Sequence, residues 1–235
     1  MYNQLKFAIN DDTYYYLAFS DITEEEKNIL IHKLPPSEQA KYMRFRQIAD
    51  KEMFLCGRTI LRNELENELH LNYNIELDFN EYQKPELNNF PYFNFNISHS
   101  NGIVLVAFSK FPVGADIEKV VTYDKTTIIQ SLSNFAFHNE EIEFLEKLNE
   151  TDAQYAFTKI WNIKESLIKA AGKGLSIDTK SFLLDCVHLN PINPNLLEIV
   201  NGMQELEQQN INYYTTLYSN NYFITISTLT PIPQG

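Results

Sequence analysis

The segment Phe157-Thr-Lys-Ile-Trp-Asn-Ile-Lys-Glu-Ser-Leu-Ile-Lys169 constrains the fold more than any other stretch of the chain. Ile160, Ile163, Leu167 and Ala171 recur at helical spacing, which predicts an amphipathic helix docked on a core. Trp161, Glu165 and Lys169 stand four residues apart and form a second stripe on a different face. Thr151-x-x-Gln154 reads as the capping box that opens this helix, and Gly172 as the glycine that closes it. A Glu/Lys pair one turn apart is most often a surface ion pair worth ~0.3–0.5 kcal/mol. The stripe carries chemistry only if other acidic residues converge on it, and the candidates lie in Gly114-Ala-Asp-Ile-Glu118.

The rest of the chain alternates strand and helix signals. An aromatic strand is expected over Thr13–Ser20, and Thr23-Glu-Glu-Glu26 is a capping box for a helix reaching about His32. Pro35-Pro36 breaks the chain and offers Ser37 as the next N-cap. A longer helix is expected from near Asp50, with Phe54, Gly57, Leu61 and Leu65 on one side. Strands and loops suit Leu71–Phe95, a buried strand suits Ile103–Phe108, and a second strand suits Val113–Glu118. Helical patches follow at Lys125–Leu132 and Asn139–Leu148. Strands are then expected over Ser181–His188, Ile211–Tyr218 and Tyr222–Leu229, with Ser219-Asn220-Asn221 turning between the last two. Each half of the 235 residues holds one major helix and several strands, and the length allows one domain or two of about 120 residues.

Charge and composition exclude some functions. A formal charge of -12 argues against a broad nucleic-acid or anionic-membrane surface, though not against one polyphosphate ligand in a locally basic pocket. Only seven glycines are present, and neither G-x-x-x-x-G-K nor G-x-G-x-x-G occurs. Cys56 and Cys186 form no C-x-x-C, so a reduced setting is expected. The opening Met1–Lys6 lacks the apolar core of a signal peptide, and no apolar run approaches a membrane span. The expectation is a soluble cytoplasmic protein.

Asp116 and Glu118 are two apart on an expected strand, so both leave one face, ~6.6 Å apart at Cα. Such hard oxygen ligands can share Mg²⁺, though an arbitrary D-x-E is usually a solvated strand edge. Asn96-Ile-Ser98-His99-Ser100 precedes the buried strand and offers hydroxyl and imidazole groups suited to a phosphate, or to a turn.

The three blocks F-N-x-S-H-S, V-G-x-D-x-E and W-x-x-K-E-S-x-x-K occur in this order. With them the chain resembles the 4′-phosphopantetheinyl transferases of the surfactin-type (Sfp-like) group, from about Lys41 to Leu175. The resemblance implies an α+β fold of two similar α/β halves related by a pseudo-twofold axis. Residues 1–110 would supply coenzyme A nucleotide contacts, and 111–235 the metal and catalytic residues. Asp116, Glu118 and Glu165 would hold Mg²⁺, with Mn²⁺ able to substitute. Lys169 would contact the phosphates, with Lys164 the basic residue before the metal glutamate. Lys41, Ser98 and His99 would meet the 3′-phosphate of coenzyme A, and Lys84-Pro85 the adenine. Glu140, or its neighbour Glu141, matches a position proposed as a base, and Gly172-Lys173-Gly174-Leu175 matches the family's G-x-G-L. The chain departs from the pattern at Gln83 (glycine in the family), Met53 (arginine), Phe54 (small and polar) and Glu38 (often basic); Arg58 or Arg62 is the candidate replacement cation.

The implied reaction moves 4′-phosphopantetheine from coenzyme A to a serine of an acyl, peptidyl or aryl carrier protein, by a monomeric enzyme. The alternative is a catalytically silent coenzyme A-binding protein of the same fold. Leu132, Phe135 and Phe137 are candidates for an apolar carrier contact, with core packing as the competing reading.

Overall fold

A computed structural model of the chain describes residues 4–19, 22–184, 200–206 and 209–229. Two compact units emerge, Met1–Lys110 and Phe111–Gly235.

The first unit holds an antiparallel sheet of strands β1 (Gln4–Asn10), β2 (Thr13–Phe19), β5 (Asn94–Ser100) and β6 (Ile103–Ser109), in the order β1-β2-β6-β5. Three helices accompany it: α1 (Glu24–Lys33), α2 (Pro36–Arg44) and α3 (Ile48–Leu69). Thr23 caps α1 with the reciprocal Glu26 bond expected of its sequence. Ser37 does not cap α2. That helix starts at Pro36 with Pro35 as N-cap, and the Ser37 hydroxyl instead donates to Glu76. Proline at the first helical position lacks only an N–H that would have had no partner there. The long helix α3 lays Leu55, Cys56, Ile60, Leu61 and Leu65 on Tyr16, Phe95, Val104, Val106 and Phe108 of the sheet. Within 71–95, ahead of the start of β5 at Asn94, the strands shrink to the two-residue pair β3 (Asp78–Phe79) and β4 (Pro85–Glu86).

The second unit repeats the recipe with a sheet ordered β7-β10-β9-β8: β7 (Val113–Lys119), β8 (Val200–Leu206), β9 (Gln209–Tyr218) and β10 (Tyr222–Leu229). All its pairings are antiparallel. Ser219 and Asn220 turn the β9–β10 hairpin with positive φ (50° and 56°), which asparagine tolerates better than most residues. Short helical pieces α4 (Lys125–Thr127) and α5 (Asn134–Ala136) flank a π-helical turn at Ile128–Ser133, and α6 (Asn139–Glu146) follows. The principal helix α7 (Glu150–Ala171) starts two residues earlier than the Thr151 box implies, because Asn149 accepts the Asp152 N–H at 2.9 Å and serves as N-cap. It ends at Gly172, whose φ of 74° is the left-handed conformation glycine adopts without strain. Ile160, Ile163 and Leu167 are fully buried in the unit's core, as the periodicity requires. The strand expected over Ser181–His188 does not form across Ser181–Leu184, where a 3₁₀ turn ends; 185–188 lie outside the described residues.

Candidate active site on strand β7 and helix α7

Packing of α7 on β7 depends on Gly114. A Cβ there would lie 2.0 Å from the Ser166 carbonyl oxygen and 2.3 Å from the Ala170 nitrogen. Only glycine lets the helix backbone come this close, and the approach sets Asp116 beside the Glu165–Lys169 stripe. The Lys169 ammonium reaches Asp116 Oδ1 at 2.6 Å, while Asn162 donates to Asp116 Oδ2 at 2.8 Å. Asp116 is buried, whereas Trp161, Glu165 and Lys169 are half-buried. Burial raises the pKa of Glu165; the Lys169 cation opposes the shift and the Asp116 charge adds to it. Glu118, two residues along β7 from Asp116, borders a cavity of about 680 Å³ together with Glu165, Trp161, Leu132, Phe135 and Phe157.

Glu118 and Glu165 therefore edge one cavity, while buried Asp116 lies against Lys169 on the same helix stripe as Glu165. Among the described residues no three His, Cys, Asp or Glu side chains gather tightly enough to hold a metal as they stand. Their chemistry nonetheless fits a hard divalent cation, because every donor is a carboxylate oxygen and Asp116 already carries a cation, the Lys169 ammonium. Mg²⁺ needs only one or two protein carboxylates when substrate phosphate and water complete its shell.

The structure corrects the expected role of Lys164. Its ammonium is fully buried and donates to the carbonyls of Thr179 (2.6 Å) and Phe182 (2.8 Å), with Glu141 Oε2 at 2.8 Å. These contacts use all three ammonium protons, so Lys164 braces the core and does not present a cation to coenzyme A. Glu141 is equally buried. It accepts the His138 and Leu184 backbone N–H groups, which makes it a structural counter-ion and not a base. Glu140 is exposed in the first turn of α6. Phe137 is corrected too: it is fully buried and stacks on Phe157 at a centroid distance of 5.1 Å, so core packing prevails. Phe135, 83% exposed, and half-buried Leu132 remain at the cavity.

The first unit's candidates stand as follows. Ser98 and His99 are neighbours on β5, so their side chains leave opposite faces, Ser98 buried and His99 exposed. A single ligand touching both must do so along the strand's edge. Lys41 sits on α2 over the Phe54 ring at 5.7 Å, its pKa lowered by burial and then by Arg58. Burial lowers Lys84 to about 8, against the pull of Glu86. Gln83 occupies its glycine position with a φ of 66°, a conformation that glycine adopts far more easily. Neither Arg58 nor Arg62 stands as a ready replacement cation. Both are buried against Glu38, at 3.2 and 2.8 Å, where the single carboxylate offsets one of the two guanidinium charges. Met53 is in the core. Asn162 had no signal beyond its place between Trp161 and Glu165, and only the packed structure shows that it holds Asp116.

In this α+β architecture carboxylates on a strand meet a Glu/Lys helix stripe, and sequence comparison identifies the family. Residues 112–227 match the family model of the 4′-phosphopantetheinyl transferase superfamily, and residues 21–110 match that of the 4′-phosphopantetheinyl transferase N-terminal region. The chain belongs to the 4′-phosphopantetheinyl transferase superfamily, on the surfactin-type side. It is 35% identical over 167 residues to the 4′-phosphopantetheinyl transferase gsp of Aneurinibacillus migulanus, spanning 71% of this chain and 68% of that protein. It is 32% identical over 162 residues to 4′-phosphopantetheinyl transferase Sfp of Bacillus subtilis, spanning 68% and 70%. The L-aminoadipate-semialdehyde dehydrogenase-phosphopantetheinyl transferase of Homo sapiens is 29% identical over 181 residues, spanning 73% of this chain and 58% of its own length. Among the described residues no helix is long and apolar enough to cross a membrane.

Proposed function

We propose that this chain transfers 4′-phosphopantetheine from coenzyme A to the serine of an acyl, peptidyl or aryl carrier protein, releasing adenosine 3′,5′-bisphosphate. The reading rests above all on one observation: Gly114 lets α7 press on β7, bringing Glu165 and Lys169 to Asp116. Asp116, Glu118 and Glu165 would hold Mg²⁺, which when bound supplies charge neutralisation at the pyrophosphate. Lys169, now paired with Asp116, offers a cation to the departing phosphate. Glu165 lines the cavity and exposed Glu140 does not, so Glu165 is the better placed of the two to accept the serine proton. The serine oxygen forms a bond to the phosphorus next to pantetheine, and the bond from that phosphorus to the nucleotide-side phosphate oxygen breaks.

Nucleotide contacts are assigned to the first unit, through Lys41, Lys84, Pro85, Ser98 and His99. Exposed Phe135 and the apolar cavity behind it suit a carrier that is held by apolar contact, since a charge of -12 does not attract acidic partners. Incubating the protein with coenzyme A, Mg²⁺ and an apo carrier, then weighing the carrier, tests the reading. A carrier heavier by one phosphopantetheine supports transfer. Coenzyme A binding without that gain supports the silent binding protein instead.

A further inference from the structure

Asp116 is the end of a buried hydrogen-bond chain that crosses three strands. In the sheet's register Thr215 of β9 lies opposite Thr225 of β10, and Thr225 lies opposite Asp116 of β7. Residues opposite one another share a face, so the three side chains form one row beneath α7. Asn162 descends from α7 onto that row. Its Oδ1 accepts from Thr225 Oγ1 at 2.5 Å and its Nδ2 donates to Asp116 Oδ2 at 2.8 Å. Thr215, Thr225 and Asn162 are wholly shielded from solvent.

The direction of the chain follows from the proton inventory. A carboxylate only accepts, so the amide must turn its NH₂ to Asp116 and its oxygen to Thr225. The single Thr225 proton then goes to Asn162 Oδ1, which has no proton of its own to give, and the Thr225 hydroxyl also lies 2.9 Å from that of Thr215. Thr225 therefore locks the amide orientation, and the amide locks Asp116. Asparagine in a helix interior is a weak helix former, so helix formation does not account for it at 162.

We infer that Asn162 is a positioning residue: held by Thr225 and Thr215, it fixes the Asp116 carboxylate so that Oδ1 is presented to a cation. The inference rests on the metal reading above. Groups behind a metal ligand set its orientation, and losing one typically weakens metal affinity 10–100-fold.

The same helix and strand supply an internal control. Ser227, two residues along β10 and opposite Gly114, contacts Ser166 Oγ at 2.7 Å. That buried contact also joins α7 to β10, and it is made between the two serine hydroxyls and not to the Asp116 carboxylate. Mn²⁺ binding is measured by electron paramagnetic resonance at saturating coenzyme A, alongside thermal unfolding, for wild type, Thr225→Val, Thr225→Ser, Asn162→Leu and Ser227→Ala. Thr225→Val and Asn162→Leu are expected to weaken Mn²⁺ binding about tenfold or more. Thr225→Ser keeps the donor and restores binding, and Ser227→Ala lowers the melting temperature without changing affinity. Wild-type affinity in folded Thr225→Val, or an equal loss in Ser227→Ala, overturns the positioning role. If either tested substitution at 225 or 162 fails to fold, the comparison of Thr225→Ser with the remaining one decides. Wild type that takes up no Mn²⁺ overturns the metal assignment itself.

Discussion

Replacing Glu141 with glutamine isolates the buried pair that displaced Lys164 from its expected ligand role. Both side chains are fully buried, and the carboxylate compensates an ammonium that also donates to two carbonyls and lies over the Phe182 ring at 4.5 Å. Removing one partner of such a pair typically costs 3–5 kcal/mol. A ceiling follows independently, because Lys164 can escape its uncompensated charge by losing its proton. From an ordinary value near 10.4, deprotonation at pH 7 costs about 1.4 kcal/mol per unit, or about 5 kcal/mol. Once Lys164 is neutral in the folded variant, the unfolded state binds one more proton, so the variant gains stability as pH rises. That ceiling drops by about 1.4 kcal/mol per pH unit, so the penalty relative to wild type should be no more than about 2 kcal/mol at pH 9. Urea unfolding of both proteins at pH 7, 8 and 9 measures it. A penalty below about 1 kcal/mol at pH 7, or one independent of pH, would refute the reasoning. Turnover per folded molecule should match wild type, whereas a lost rate in fully folded protein would return Glu141 to the reaction.

Three further outcomes are expected. Gly114→Ala should force α7 away from β7, lowering stability by ~1–3 kcal/mol or more and turnover of the folded fraction about 100-fold; unchanged melting and turnover would remove Gly114 from the argument. Gln83→Gly should stabilise the first unit by up to ~1 kcal/mol in chemical denaturation, since φ is 66° there, and a loss of stability would show that the Gln83 side chain matters more than its backbone. Lys84, lowered to about 8 in the folded state from 10.5, should make unfolding free energy rise as pH climbs between those values, because the unfolded chain then holds the extra proton. Lys84→Met should flatten that rise, and an identical pH profile in the variant would contradict it.

Much of the site was legible because it rests on two short periodicities. Spacing of four put Glu165 and Lys169 on one stripe of α7, and spacing of two put Asp116 and Glu118 on one face of β7. The V-G-x-D-x-E glycine was visible as a letter, but its reason, a backbone contact with Ser166 and Ala170, needs the packed helix. Lys164 and Glu141 looked like ligand-facing charges because local sequence says nothing about Thr179, Phe182 and Leu184, which enclose them from further along the chain. Asn162 stayed silent for the same reason, since its partner Thr225 is set by strand register. In the fold, β1 went unread because it is a largely exposed edge strand without a clear apolar alternation. The π-helical turn at Ile128–Ser133 has no periodicity distinct from the α-helix expected there.

In the proposed reaction, carboxylates on β7 and α7 bring a divalent cation to the transfer of phosphopantetheine. Its most direct test is the rate at which apo carrier becomes holo carrier as Mg²⁺ is titrated into protein stripped with a chelator. No transfer is expected before Mg²⁺ is added, with saturable recovery in wild type and no recovery in folded Asp116→Ala or Glu165→Ala at concentrations that saturate wild type. A full rate in metal-free wild type, or wild-type recovery in either variant, would contradict it.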